Sequence, residues 1–246
     1  MSKLSIVGIF IIAAFVIFFF GRKLHWFGTT LRPSGHVVSD TRKVGDFNKL
    51  KLDGVFKTII SQDGGPAWVR VEADENLQQT VYLKNEGETL SVGSRSGFTF
   101  SRPTKMVVYV NVKDIRSITN NSVGNIETEG VIKADELDFT NNAVGRTTLD
   151  LDVKKLNARL NAVGATTLLG AATTVEIDNS SVGKLHAYDL KTDILDISNK
   201  AVGAVEVQAQ KEISINHSGV GALHYRGPAT VKSLKDDGVG KVSKDE

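Results

Sequence analysis

Three side chains in the second half of the chain could together bind a metal ion. They are His186, Glu206 and His224, which stand 20 and 18 residues apart. Imidazole nitrogens with a carboxylate are a donor set that zinc and other transition metals use. If these residues lie on successive coils of a repeat, the two histidines are about 9–10 Å apart, which is wide for one ion. A plain cross-strand pairing of histidine with glutamate is therefore the competing interpretation.

A column of acids is the second candidate for chemistry. Glu176 and Asp196 take equivalent places one repeat apart, and Asp178 lies beside Glu176. Two carboxylates about 4.8 Å apart could share a proton, as a polysaccharide-acting enzyme requires, or could bind calcium. Surface acids are common and weakly coupled, so a solvated acidic face is the alternative. We predict no catalytic residue, no cofactor and no metal.

A repeat must position all of these side chains. A Val-Gly pair follows a small residue seven times, and successive glycines lie 21, 19, 19, 20, 18 and 19 residues apart. A period near 19 indicates one supersecondary unit repeated along the chain. The seven pairs are Val123-Gly124, Val144-Gly145, Val163-Gly164, Val182-Gly183, Val202-Gly203, Val220-Gly221 and Val239-Gly240.

The columns around each pair predict the shape of the unit. Apolar residues stand six before each glycine and mostly apolar residues two after it, each beside a polar neighbour, which indicates two short strands per coil. Such a unit is typical of a β-solenoid, and the usual crossover rule favours a right-handed winding. We expect the glycines to take positive φ or to form a bulge. Most coils carry an asparagine four residues before the glycine, which predicts a corner ladder: Asn120, Asn141, Asn179 and Asn199.

One corner departs from this pattern. Leu160 stands where the third coil should carry its asparagine, and Asn161 follows one position late. The sequence therefore predicts a shifted corner in that coil. The neighbouring outward column runs through Asp138, Asn157, Glu176 and Asp196.

The first residues predict a membrane anchor. Residues 4–20 contain no charge and end in three phenylalanines, and Arg22 and Lys23 follow. Seventeen residues are at the short end for a bilayer span, which flanking cations and Trp26 would extend. A cleaved signal peptide is the alternative, but no small-x-small cleavage pattern follows the apolar run. We expect a single-pass anchor with the body outside the cytoplasm.

The chain divides into four predicted parts. Residues 1–27 form the anchor, and 28–44 form a linker because they lack periodicity and contain Pro33 and Gly35. Residues 45–112 are β-rich, and 113–246 form the repeat. The predicted fold is all-β, a right-handed parallel β-helix of about 19 residues per coil after an N-terminal transmembrane helix.

Composition excludes several classes of protein. The chain has no cysteine, which excludes disulfides, thiol catalysis and a lipoprotein anchor. It has 30 basic and 28 acidic residues, and three of the basic ones precede residue 28, where no acid occurs. The body is thus balanced in charge, which argues against a nucleic-acid partner.

The order of these motifs resembles a known family. The opening KLKLDGVFKTIISQ, the segment VRVEADENLQQTVYLKNEGETLSVG and the repeated N-x-(S/A)-V-G corners are similar to the head GIN domain family, described as putative auto-transporter adhesins. The resemblance covers about residues 45–240. It implies a β-helical, envelope-exposed bacterial domain without established enzymatic activity. The predicted membrane anchor, which has no lipoprotein cysteine, is a departure from the family. It argues against a freely secreted adhesin.

We expect a non-catalytic adhesion, interaction or envelope-assembly module in the bacterial cell membrane, with an unidentified protein or glycan partner. One alternative is a polymer-forming scaffold whose coil ends stack, since an exposed end is an unpaired edge. The other is a carbohydrate-active β-helix enzyme.

Overall fold

The computed structural model describes residues 29–102 and 104–245. These residues form an all-β chain with one short 3-10 helix, Glu75–Thr80. The strands are β1 (Thr29–Leu31), β2 (Val37–Lys43), β3 (Lys49–Asp53), β4 (Lys57–Ser61), β5 (Trp68–Asp74), β6 (Val81–Glu86), β7 (Thr89–Ser94), β8 (Phe98–Phe100), β9 (Val107–Asn111), β10 (Ser117–Asn120), β11 (Ile126–Glu129), β12 (Ile132–Asn141), β13 (Thr147–Leu160), β14 (Thr166–Asn179), β15 (Leu185–Ala187), β16 (Leu190–Asn199), β17 (Val205–Gln208), β18 (Glu212–His217), β19 (Leu223–Arg226), β20 (Thr230–Asp236) and β21 (Val242–Lys244).

The repeat folds as a parallel β-solenoid of about seven turns. One wall stacks β3, β10, β12, β13, β14, β16, β18 and β20, and another stacks β4, β11, β13, β14, β15, β17, β19 and β21. Equivalent repeat positions are in register, so that Ile118 lies opposite Phe139 and Phe139 opposite Ala158. The predicted solenoid is confirmed, and its right-handed winding stays a prediction.

The apolar columns fill the interior. Ile118, Phe139 and Ile197 are fully buried, and the equivalent residues of most coils are at most 2% exposed. Leu234 is the last residue of this column and is 47% exposed, because no coil of the described chain stacks on it. Inward side chains are therefore buried by the coils on both of their sides, and the last described coil has a neighbouring coil on one side only.

The Val-Gly corner brings consecutive backbones into direct contact. All seven glycines have φ between +128° and +147°, which confirms the predicted positive φ. A Cβ added at Gly183 would lie 2.1 Å from the carbonyl oxygen of Gly164. The valines beside them form parallel bridges from coil to coil and point outward, with Val182 52% exposed. Glycine is required here both for the backbone angle and for the space.

The asparagine ladder is present in two segments. The Asn120 amide donates to Asn141 Oδ1 at 3.1 Å, and the Asn179 amide donates to Asn199 Oδ1 at 2.9 Å. Leu160 lies between the segments, in register with Asn141 and Asn179 and 1% exposed. The predicted shift of the third corner is therefore wrong, because an apolar side chain occupies the same buried place.

A second, exposed ladder explains why Asn161 stands one position later in its repeat than the buried asparagines do. The Asn142 amide donates to Asn121 Oδ1 at 2.9 Å, and the Asn161 amide donates to Asn142 Oδ1 at 3.2 Å. Asn161 thus belongs to an outer row, one position after the buried ladder.

Coil stacking begins earlier than the repeat motif indicates. Strand β10 pairs with β3, and β11 pairs with β4, in the same parallel register as the later coils. Val55 bridges Val123 as later valines bridge one another. Phe56 takes the place of the corner glycine, so the Val-Gly motif does not reveal this coil. The predicted boundary at residue 113 separates coils that the structure stacks continuously.

Residues 29–44, which belong to the predicted linker 28–44, contain two strands. Strand β2 pairs antiparallel with β5 over seven residue pairs, and β1 pairs parallel with β8. Most side chains of β2 are exposed, so backbone pairing forms the strand without an apolar alternation that the sequence could reveal.

The predicted anchor, residues 1–27, lies outside the described residues. Between residues 29 and 245, Pro103 excepted, no helix has the length and apolar character needed to cross a bilayer.

We predict that Gly183→Ala destabilises the solenoid by about 3 kcal/mol or more, since the new Cβ meets backbone rather than a movable side chain. Gly130→Ala is the control, because Gly130 has φ +80° and open space around it. It should cost only about 1–2 kcal/mol through backbone strain. Urea unfolding of both variants measures the difference. Equal losses would contradict the role assigned to close stacking.

Candidate functional site

One outward row crosses the long sheet of the solenoid. Register aligns Ile59 with Glu127, then Thr148, Thr167, His186, Glu206, His224 and Ser243. The predicted column that contains the two histidines is therefore confirmed as a straight row with one side chain per coil.

The structure resolves this row into pairs. His186 Nδ1 lies 2.7 Å from Glu206 Oε2, and Lys184 Nζ lies 3.9 Å from the other carboxylate oxygen. His224 Nδ1 lies 3.1 Å from Asp245 Oδ1 and 3.0 Å from Ser243 Oγ. The cross-strand histidine–glutamate pairing thus describes the first pair.

The candidate metal set does not converge on one point. Within the described part of the chain, no group of three or more histidine, aspartate or glutamate side chains is placed to hold a metal ion. The reason is the coil spacing, which separates the two histidines by two coils and leaves each with its own carboxylate. His186, Glu206 and His224 form part of a polar surface.

Tyr188 ties the last coil to earlier ones. Its hydroxyl donates to Asp245 Oδ2 at 2.6 Å, while the Arg226 guanidinium lies 4.3 Å from its ring centroid and donates to its carbonyl oxygen at 2.9 Å. Burial, and then the bond to Asp245, raises the pKa of Tyr188. Hydrogen bonds from Tyr188 and then His224 lower the pKa of Asp245. We call Tyr188, His224, Arg226 and Asp245 the C-terminal clasp.

The acidic column is a solvated face. Glu176 and Asp196 are adjacent in register, as predicted, and both are exposed. Asp178 is also exposed and stands opposite Arg159 and Ser198. Asn157 donates to Asp138 Oδ1 at 2.9 Å further along the column. The pockets of the described residues are not lined by Glu176, Asp178 or Asp196.

Sequence reasoning missed a cluster in the β-rich part of the body. The Arg70 guanidinium lies 4.1 Å from the Tyr109 ring centroid and 5.6 Å from that of Trp68. The Tyr109 hydroxyl donates to Glu72 Oε2 at 3.0 Å, and this bond raises the pKa of Tyr109. The signal was present as polar and aromatic residues alternating with valines in both strands, but the pairing of β5 with β9 decides that they meet.

This cluster continues the outward row. Arg70 pairs with Tyr109, and Tyr109 with Ile59, so the row runs from β5 to β21 across the sheet. We call this row and the cluster at its start the long-sheet face. Aromatic residues lie at one end of this face, histidines lie at the other end, and threonines lie between them.

The fold and this surface define the class: a parallel β-solenoid repeat protein with a long, flat, polar and aromatic face. The chain belongs to the family described as "Putative auto-transporter adhesin, head GIN domain", which it matches over residues 46–229. The resemblance found in the sequence is thereby confirmed. A comparison with curated proteins finds no match.

Solved structures share the fold. A putative adhesin from Bacteroides fragilis is 25% identical, with a TM-score of 0.82, and the match covers 87% of this chain and 100% of that one. A putative adhesin from Parabacteroides distasonis is 22% identical with a TM-score of 0.65, covering 88% and 100%. A putative lipid binding protein from the same species is 17% identical with a TM-score of 0.69, covering 89% and 100%. The last two show the fold alone.

We predict that Asp245→Asn loosens strand β21 without unfolding the solenoid. The lowered pKa of Asp245 means that the clasp stabilises the fold above the carboxyl's unfolded pKa, and that this stability is lost as pH falls through the lowered value. Hydrogen exchange of residues 242–245, corrected for intrinsic rates, should be faster in the variant at neutral pH. Acidification should bring the wild type to the variant's protection. Asp237→Asn, which affects only a surface pair with Lys235, is the control. Unchanged protection in Asp245→Asn would refute the clasp.

Proposed function

We propose that this protein is a membrane-tethered, extracytoplasmic interaction module of a bacterial envelope, acting in adhesion or envelope assembly and not as an enzyme. The observation that carries the proposal is the long-sheet face, which is continuous over the solenoid and offers aromatic, cationic and hydroxyl groups without a catalytic cleft. The regular residues of the repeat have structural roles, so partner recognition falls to this irregular face. A 25% identical structure described as a putative adhesin supports the same direction.

The tether and the compartment depend on residues 4–20. Because the chain has no cysteine, a single cysteine reports on one place. We expect Ser233→Cys, on the exposed last coil, to react with a membrane-impermeant maleimide before the cytoplasmic membrane is opened. Ser2→Cys should react only afterwards, and the protein should resist alkaline carbonate extraction. Labelling of Ser233→Cys only after lysis would place the body in the cytoplasm and end the proposal.

The interaction face has its own test in the same cells. A photo-crosslinking residue at Thr148, within the long-sheet face, should give discrete adducts, whereas one at Asp196, on the acidic column, should give few. Both positions face outward on the solenoid, two coils apart, so the difference between them reports on the face and not on burial. Equal adduct patterns at the two positions would contradict the choice of face.

The last coil bears on the polymer alternative. All seven residues of β20 are exposed, including Leu234, and an open edge of this kind can pair with another chain. However, Ile213 pairs with Val231 and Ser214 with Ser233, so Lys232 is an extra residue in the edge strand. Bulges and lysines on edge strands block edge-to-edge pairing. We propose that Lys232 keeps the protein from stacking end to end.

We predict that deletion of Lys232 promotes self-association, because it restores a straight edge. Sedimentation of the full chain in detergent should show larger species for the deletion and none for the wild type at the same concentration. Lys232→Ala, which removes the charge but keeps the bulge, separates the two effects and should associate less. Wild-type filaments in electron micrographs would instead support the scaffold.

A further inference from the structure

Two segments that pair in the fold carry cations and no acids of their own, although Asp74 and Glu75 contact the first segment at Gly35 and His36. Residues 29–39 and 94–112 contain no aspartate or glutamate, although the chain as a whole is nearly balanced. They contain four arginines and lysines, all exposed: Arg32, Arg95, Arg102 and Lys105. Among the described residues, none of the four takes part in a salt bridge.

Pairing of β1 with β8 brings Arg32 and Arg102 to the same end of the two strands. Thr29 lies opposite Phe98, and Leu31 lies opposite Phe100. Arg32 and Arg102 therefore both come just after the end of this two-stranded sheet. The Arg102 guanidinium donates to the Pro33 carbonyl at 3.1 Å, which holds it beside the end of β1. Arg95 precedes the other end of β8 and donates to the Gln79 carbonyl at 3.1 Å. We call Arg32, Arg95, Arg102 and Lys105 the cationic patch.

An open apolar cleft adjoins the patch. Its volume is about 860 Å³, and it lies between the first two coils and the segment after β8. Val55 and Val123, at its floor, are 57% and 43% exposed. Arg102 and Lys105 stand at its wall together with apolar side chains, Phe100 and Met106. Cations beside exposed apolar groups match a surface that is anionic outside and apolar beneath.

The start of the described chain locates such a surface. Thr29, the first described residue, opens β1, and the apolar segment 4–20 ends nine residues earlier. Nine fully extended residues span at most about 32 Å. If residues 4–20 lie in a bilayer, as proposed, its surface is within that reach of Thr29, whereas the last described coil is at the opposite end of the solenoid.

We infer that the cationic patch docks on the anionic lipid surface of the membrane that anchors the chain. Lipid phosphates contact Arg102 and Lys105, and the cleft accepts the apolar part of the lipid beneath. The inference rests on the proposed tether, which brings the patch to the bilayer. Docking would give the solenoid one fixed orientation on the membrane. The long-sheet face would then also have one fixed direction.

The test uses the full chain reconstituted in vesicles with a quencher on the lipid headgroups. A fluorescent label at Ser96→Cys reports from the turn beside Arg95, and one at Ser233→Cys reports from the opposite end. Vesicles of phosphatidylcholine are compared with vesicles that also contain phosphatidylglycerol. We expect about twofold stronger quenching at position 96 with phosphatidylglycerol, abolished by high salt, and no change at position 233.

Charge variants decide whether the patch is responsible. Replacing the four patch residues by glutamine should remove the phosphatidylglycerol effect, while an equal change of charge elsewhere should leave it: Lys191, Lys200, Lys241 and Lys244→Gln. Arg95 and Arg102 also donate hydrogen bonds, so a second variant changes only Arg32 and Lys105, which should weaken the effect without loss of folding. Equal quenching in both vesicle types, or equal effects of the patch and distal variants, would overturn the inference.

Carbonate extraction of the same vesicles reports on the tether alone. Protein that resists extraction but shows no phosphatidylglycerol effect refutes the patch and leaves the tether. Protein that is extracted but still shows the effect refutes the tether and leaves the patch as a lipid-binding surface.

Discussion

The close contact between corner glycines is the constraint on which the rest of the structure depends. From Gly145 onward, each corner glycine lies against the carbonyl oxygen of the glycine one coil before, at a distance that admits no Cβ. Backbone hydrogen bonds between coils set the coil spacing, the corner contact requires glycine at that spacing, and the spacing places every inward and outward column in register. Where Phe56 replaces the glycine in the first coil, the carbonyl oxygen of Phe56 still receives Gly124, so the contact needs glycine only on the later coil of each pair.

Buried polar groups follow from the same spacing. The Asn179 amide donates to Asn199 Oδ1, which leaves the Asn199 amide to face His217 Nδ1 at 2.9 Å. His217 Nδ1 must then accept, so Nε2 carries the proton, and it has no partner among the described residues although the side chain is fully buried. A buried hydrogen bond that is not made costs about 1–3 kcal/mol of folding stability. The ladder is therefore least stable at its end, next to the last described coil. The C-terminal clasp stabilises that coil from outside.

The two described ends of the solenoid have different surfaces, and the difference suits the proposed membrane attachment. The early end adjoins the cationic patch and is closed by antiparallel strands, whereas the late end shows an open edge that carries a bulge at Lys232. Between them the long-sheet face offers Trp68, Arg70 and Tyr109 near one end and His186 near the other. Under the proposed function, attachment, recognition and protection against stacking would occupy separate parts of the molecule.

The sequence by itself determined the family, the solenoid, its inward columns and the positive φ of the corner glycines, because each is encoded locally and repeated seven times. It could not reveal the first coil, since Phe56 breaks the motif, or β2, whose pairing leaves no apolar pattern. The candidate sites divide in the same way. The sequence aligned His186, Glu206 and His224 in one row, but only the tertiary structure decided that His224 bonds Asp245, because rotamers and partners from other coils set side-chain contacts. The stack of Arg70 on Tyr109 likewise depends on an antiparallel pairing between strands far apart in the chain.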